Sequence, residues 1–169
     1  LVETVNGPTP VGQLGRVLMH EHIFIVNQET TENFPDTWGD PEQRVIDAAR
    51  ALDDLKTAGI STVVDLTAVG LGRDVARLAR VNELTDINIV VTTGVYAWAI
   101  EPHVFRYRGP GKLFDGPDPM EELFVSDITE GVHGTNVKAG ILKVATDELG
   151  VTPAVDRILR CTARAHRKT

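Results

Sequence analysis

Hydrophobic positions along the chain alternate between two rhythms. Branched and large apolar residues crowd RVLMHEHIFI (16–25) and predict a first strand. Val45, Ala48, Ala49, Leu52 and Leu55 then recur at helical spacing up to Gly59. Asp40 precedes Pro41 there and Gln43 follows three positions later, a capping-box arrangement that opens the helix. The rhythm repeats with ISTVVDLT (60–67) as a strand, RDVARLARVNEL (73–84) as a helix and INIVVTTG (87–94) as a third strand. A Gly- and Pro-rich connection over 95–117 is longer than compact domains usually carry, which marks it as functional or mobile. Asp118, Pro119 and Glu121 repeat the capping pattern for a helix through about Val132. AGILKVA (139–145) is a fourth strand, and Thr152 and Pro153 start a last helix with Val155, Ile158, Leu159 and Thr162 along one side.

Four consecutive βα units predict a parallel sheet with helices packed outside it. Two architectures satisfy that pattern: a small doubly wound sheet, or the N-terminal half of a (β/α)8 barrel, which typically needs about 250 residues. A length of 169 residues favours the first, and the residues at the strand ends favour the second. Charge narrows the partners. With 17 basic against 24 acidic residues the net charge is −7, which argues against a nucleic-acid or anionic-membrane footprint and leaves a small molecule as the easier ligand. Cys161 is the only cysteine and reads as a packed thiol. No stretch approaches the roughly 20 apolar residues of a membrane span and no charged leader precedes an apolar run, so a cytoplasmic location is expected.

His20 and His22 stand two apart on a predicted strand, which sends both imidazoles to one face and Glu21 to the other. Two imidazoles on one face can grip one metal ion, although a pair of satisfied histidines near a strand end has the same signature. Lys143 lies inside a strand that otherwise reads as buried on both faces. Burial lowers an amine's pKa, and a neutral lysine amine can add carbon dioxide to become a carbamate able to bridge two divalent ions. A lysine reaching out to solvent at the strand end is the competing reading. Five of the nine aromatic residues (Tyr96, Trp98, Phe105, Tyr107 and Phe114) fall in the 95–117 connection, as in an apolar ligand pocket or a small satellite core.

LMHEHIF around the histidines, DLTAVGLGRD after the second strand, TGVYAW after the third and GTNVKAGILKVATDE around Lys143 together resemble the phosphotriesterase family of the amidohydrolase superfamily. The similarity runs in order over essentially the whole chain and is strongest to the phosphotriesterase-like lactonases. It implies that residues 1–169 form about four βα units, the first half of a TIM barrel with two divalent metals at its C-terminal mouth. Those metals are usually zinc, with cobalt, iron or manganese as substitutes. His20 and His22 would ligate one ion, and Lys143, as its carbon dioxide carbamate, would bridge both and take part in catalysis. Tyr96 would contact the substrate carbonyl and Trp98 would line the pocket. A tyrosine at the position of Tyr96 marks the lactonase branch, where efficient organophosphate hydrolases carry tryptophan.

The implied function is metal-assisted opening of lactones of the acyl-homoserine type, with promiscuous phosphotriester hydrolysis and a homodimer for a full-length protein. Two further histidines and an aspartate, which the family supplies from later strands, have no counterpart here, so the chain alone is expected to lack a normal binuclear site and the family's rate. It reads as a fragment. A non-catalytic α/β ligand-binding module and a true aryldialkylphosphatase are the alternatives. Asp65 is a candidate for orienting a ligand or pinning a loop. His103 and His133 lack paired spacing, and GLGRDV (70–75) lacks the third glycine of a dinucleotide loop. Arg157, Arg160, Arg164, His166, Arg167 and Lys168 read as the solvated face and end of the last helix.

Overall fold

In the computed structural model, which describes residues 1–97, 99–132 and 134–169, the strands and helices alternate as the pattern predicts. A hairpin of β1 (Val2–Thr4) and β2 (Gly7–Thr9) precedes β3 (Val17–Glu21), α1 (Gln28–Asn33) and α2 (Pro41–Thr57). Then come β4 (Thr62–Asp65), α3 (Val75–Asn82), β5 (Asn88–Gly94), α4 (His103–Arg106), α5 (Pro119–Thr129), β6 (Ile141–Lys143) and α6 (Pro153–His166). The main sheet is parallel throughout, in the order β3-β4-β5-β6. Each new strand adds beside the previous one. A doubly wound sheet reverses direction at a switch point, whereas a barrel adds strands in sequence, so this order decides between the two architectures. The fold is about half of a (β/α)8 barrel.

The helix starts follow from their caps. Asp40 accepts a hydrogen bond from the Glu42 amide at 2.9 Å, Asp118 from the Met120 amide at 3.1 Å, and Thr152 from the Val155 amide at 3.3 Å, each just ahead of a proline at the first helical position. Gln43 does not complete a capping box; its amide turns along the helix to Asp47. Two apolar clusters hold the helices to the sheet. Val45, Ala49 and Leu52 of α2 and Leu78 and Val81 of α3 meet Val63, Ile89 and Val91 of the sheet, and Met120 and Phe124 of α5 meet Ile158 and Cys161 of α6. Complete burial of a side chain such as Ile89 or Phe124 is worth about 2 to 3 kcal/mol over exposure.

The first and fourth strands are shorter than predicted. Pairing of β3 with β4 slips between Leu18 and Glu21, and past Glu21 the Ile23 amide bonds the Asp65 carboxylate instead of a neighbouring strand. Phe24 then turns into the core against Trp38. The opening hairpin has no alternating pattern to announce it. Its turn sits at the N-terminal end of the sheet, where the Val5 amide donates to the Ile89 carbonyl at 2.8 Å. At the opposite end, the segments after β3 and β4 touch through backbone: a Cβ added to Gly72, whose φ is +82°, would lie 1.5 Å from the Val26 carbonyl oxygen. Only glycine fits there.

Candidate functional site

All four strands of the parallel sheet send residues to one place beyond their C-terminal ends. His20 is the penultimate residue of β3 and His22 follows its end, and the slip in pairing does not part them: their Nε2 atoms lie 3.3 Å apart with the rings edge to face. From the end of β4, the Thr67 hydroxyl sits 2.9 Å from His22 Nδ1, which fixes the ring and leaves Nε2 aimed at His20. Asp65 spends both carboxylate oxygens on backbone, taking the Ile23 amide at 3.1 Å and the Thr67 amide at 2.8 Å. It therefore pins the two loops that carry His22 and Thr67. This is the loop-pinning role, with one backbone amide on each oxygen.

Lys143, at the end of β6, is half-buried and donates from Nζ to the Leu66 carbonyl at 3.1 Å. It turns across β5 toward β4 and not out to solvent. Burial lowers its pKa and Asp65 opposes that only in part, so the neutral amine is more accessible than usual. Burial, then the Lys143 charge, pushes the His22 imidazole below its ordinary value, which keeps the ring in its neutral, ligand form. Tyr96, just past β5, places its ring centroid 6.0 Å from Lys143 Nζ and donates its hydroxyl to Asp147 at 2.7 Å. Trp98, the other candidate pocket residue, and His133 lie outside the described residues.

Sequence reasoning missed Thr67 and Asp147. Each acts through a contact 45 or more residues away, and a lone threonine or aspartate has no spacing that announces such a partner. A cleft of about 540 Å³ opens between Ile25–Glu29, after β3, and Val69–Arg73, after β4. Among the described residues, no group of three or more His, Cys, Asp or Glu side chains is placed to hold a metal ion. The two imidazoles lie together, and the Lys143 charge acts on His22.

A half-barrel with these residues at its strand ends agrees with the sequence profile of the Phosphotriesterase family, which matches residues 1–169, and the chain belongs to that family. Its fold is about half of the phosphotriesterase-family barrel. Among individual proteins, it is 49% identical over 168 residues to the phosphotriesterase homology protein of Mycobacterium tuberculosis, covering 99% of this chain and 52% of that protein. It is 34% identical over 159 residues to the aryldialkylphosphatase of Saccharolobus solfataricus, covering 92% of this chain and 47% of that one. The solved structure of the phosphotriesterase from Mycobacterium tuberculosis matches with a TM-score of 0.94 at 50% identity, over 98% of this chain and 51% of the other. The chain thus spans about half the length of the curated relatives it matches, and its sheet corresponds to their N-terminal portion. No helix among the described residues is long and apolar enough to cross a membrane.

Proposed function

We propose that His20, His22 and Lys143 are the opening half of a binuclear metal centre in a hydrolase that opens lactones, acyl-homoserine lactones in the first place, and hydrolyses phosphotriesters as a side activity. One distance carries this reading. Two nitrogens bound to one tetrahedral zinc, each about 2.05 Å from it, stand about 3.3 Å apart, and the two Nε2 atoms are separated by 3.3 Å. The donor set fits the ion. When bound, two divalent metals supply Lewis acidity and an activated water near neutral pH.

The protein's own residues do the rest. Thr67 and Asp65 hold the His22 ring and its loop in place. The depressed Lys143 pKa favours nucleophilic addition of the amine to carbon dioxide, with loss of one proton, giving an anionic carbamate in a position shared with the histidines. Tyr96 stands beside that amine with its hydroxyl direction set by Asp147, and is suited to contact a lactone carbonyl. The aryldialkylphosphatase relative supports phosphotriester hydrolysis as the competing principal activity.

Titration of the purified chain with zinc, followed by calorimetry and metal analysis after dialysis, tests the centre. One retained equivalent that disappears in the His20→Ala, His22→Ala double variant supports it, and uptake equal in parent and variant overturns it. On a barrel completed with a C-terminal half, a higher kcat/KM for an acyl-homoserine lactone than for a paraoxon-like ester supports lactonase activity. The reverse order assigns the protein to phosphotriesters.

A further inference from the structure

The basic positions of α6 are not all a solvated face. Arg157 keeps only 13% of its side chain exposed and spends its guanidinium on the 95–117 connection. Nε and Nη2 donate to the two Asp118 oxygens at 2.9 and 3.1 Å, a bidentate pair. Nη1 donates to the Phe105 carbonyl at 2.8 Å and to Glu101 at 3.3 Å, and Nη2 donates to the Arg108 carbonyl at 2.6 Å. Gly109 makes the approach possible, since a Cβ there would lie 2.6 Å from Nη2, and its φ of +116° excludes other residues in any case. Burial opposes ionisation of Asp118, yet the Arg157 guanidinium and the Met120 amide outweigh it and hold the carboxyl below its usual range.

Arg157 lies in the second turn of α6, and its charge is offset by carboxylates and carbonyls outside that helix. Because helix starts and strand ends share one end of a βα unit, the bound loop stands at the mouth, and it is the loop that begins at Tyr96. Within 99–117, Phe105 is buried, while Ile100, Val104, Leu113 and Phe114 are exposed.

We propose that Arg157 is the positioning residue of this loop: its five donor contacts hold 101–118 in one arrangement, making it a fixed wall of the substrate site and not a mobile lid. The holding role stands on the contacts alone, while the word substrate rests on the function proposed above. A single ammonium cannot reproduce a bidentate carboxylate pair together with two carbonyl bonds, so lysine should not replace it.

Hydrogen exchange on the purified chain, compared with Arg157→Met and Arg157→Lys, tests the proposal. Amide exchange of Arg108, Gly109, Lys112 and Phe114 should quicken by roughly tenfold or more in both variants, while β4 and β5 keep parental protection. Zinc uptake, measured alongside, should stay parental, so loss of the metal reading and loss of the loop reading are told apart. Unchanged loop exchange, an increase spread equally over the strands, or full rescue by Arg157→Lys would each overturn the role.

Discussion

The buried ion pair between Arg73 and Asp127 is the point at which stability and site geometry are most tightly joined. Arg73 Nη1 donates to Asp127 Oδ2 at 2.5 Å, with side-chain exposures of 10% and 3%. The same carboxylate oxygen accepts from the Thr93 hydroxyl at 2.6 Å, and Arg73 also reaches the Thr92 carbonyl at 3.3 Å. The pair ties the loop after β4, one wall of the cleft between 25–29 and 69–73, to β5 and α5. Asp127→Ala leaves a guanidinium and a hydroxyl buried without their acceptor, and removing one partner of such a pair costs about 3 to 5 kcal/mol. For a domain of this size that lowers the melting temperature by about 6 to 20 °C. Arg73→Met should cost a comparable amount. The Arg73→Met, Asp127→Leu double variant should recover much of the loss, with a coupling of about 1 to 3 kcal/mol. Urea unfolding of the four proteins, followed by circular dichroism, measures the cycle. If either single variant falls within about 1 kcal/mol of the parent, or the two losses simply add, the pair does not act as described.

Further outcomes follow from the electrostatics. Burial pushes the Cys161 thiol up to about 12, so iodoacetamide should leave the folded chain unmodified at pH 8 and alkylate it fully in urea; rapid native labelling would contradict the packed-thiol reading. The unfolded chain holds a proton on His22 more readily than the folded chain does. The His22 contribution to stability is therefore flat above the ordinary imidazole value and erodes as pH falls from there through the lowered one. In the metal-free chain without bicarbonate, Lys143→Met, which removes a neighbouring cation, should move the His22 midpoint followed by proton NMR upward, toward the ordinary imidazole value. A midpoint that ignores Lys143 would separate the two groups.

The helices and strands were legible because their cues are local: Asp40, Asp118 and Thr152 cap helices a few residues away, and the apolar spacing of α2 needs no distant partner. His20 and His22 were legible for the same reason, being two apart on one strand. Lys143 stood out as a charge in an apolar run, and its Nζ donates to the Leu66 carbonyl. Contacts between distant segments were not legible. Arg157 looked like a surface charge because Asp118 and the carbonyls of Phe105 and Arg108 lie 39 to 52 residues away. Thr67 and Asp147 were hidden likewise. The hairpin at the start escaped because its strands pair through backbone and carry no alternation to read.

The central claim is that the amine at position 143 becomes a carbamate that shares divalent ions with the two imidazoles. Carbon-13 NMR of the chain equilibrated with labelled bicarbonate, with and without zinc, tests it most directly. The account predicts a carbamate resonance that grows with zinc and is absent from both Lys143→Met and the His20→Ala, His22→Ala double variant. A spectrum without that resonance at saturating zinc and bicarbonate, or one that persists when Lys143 is replaced, would contradict it.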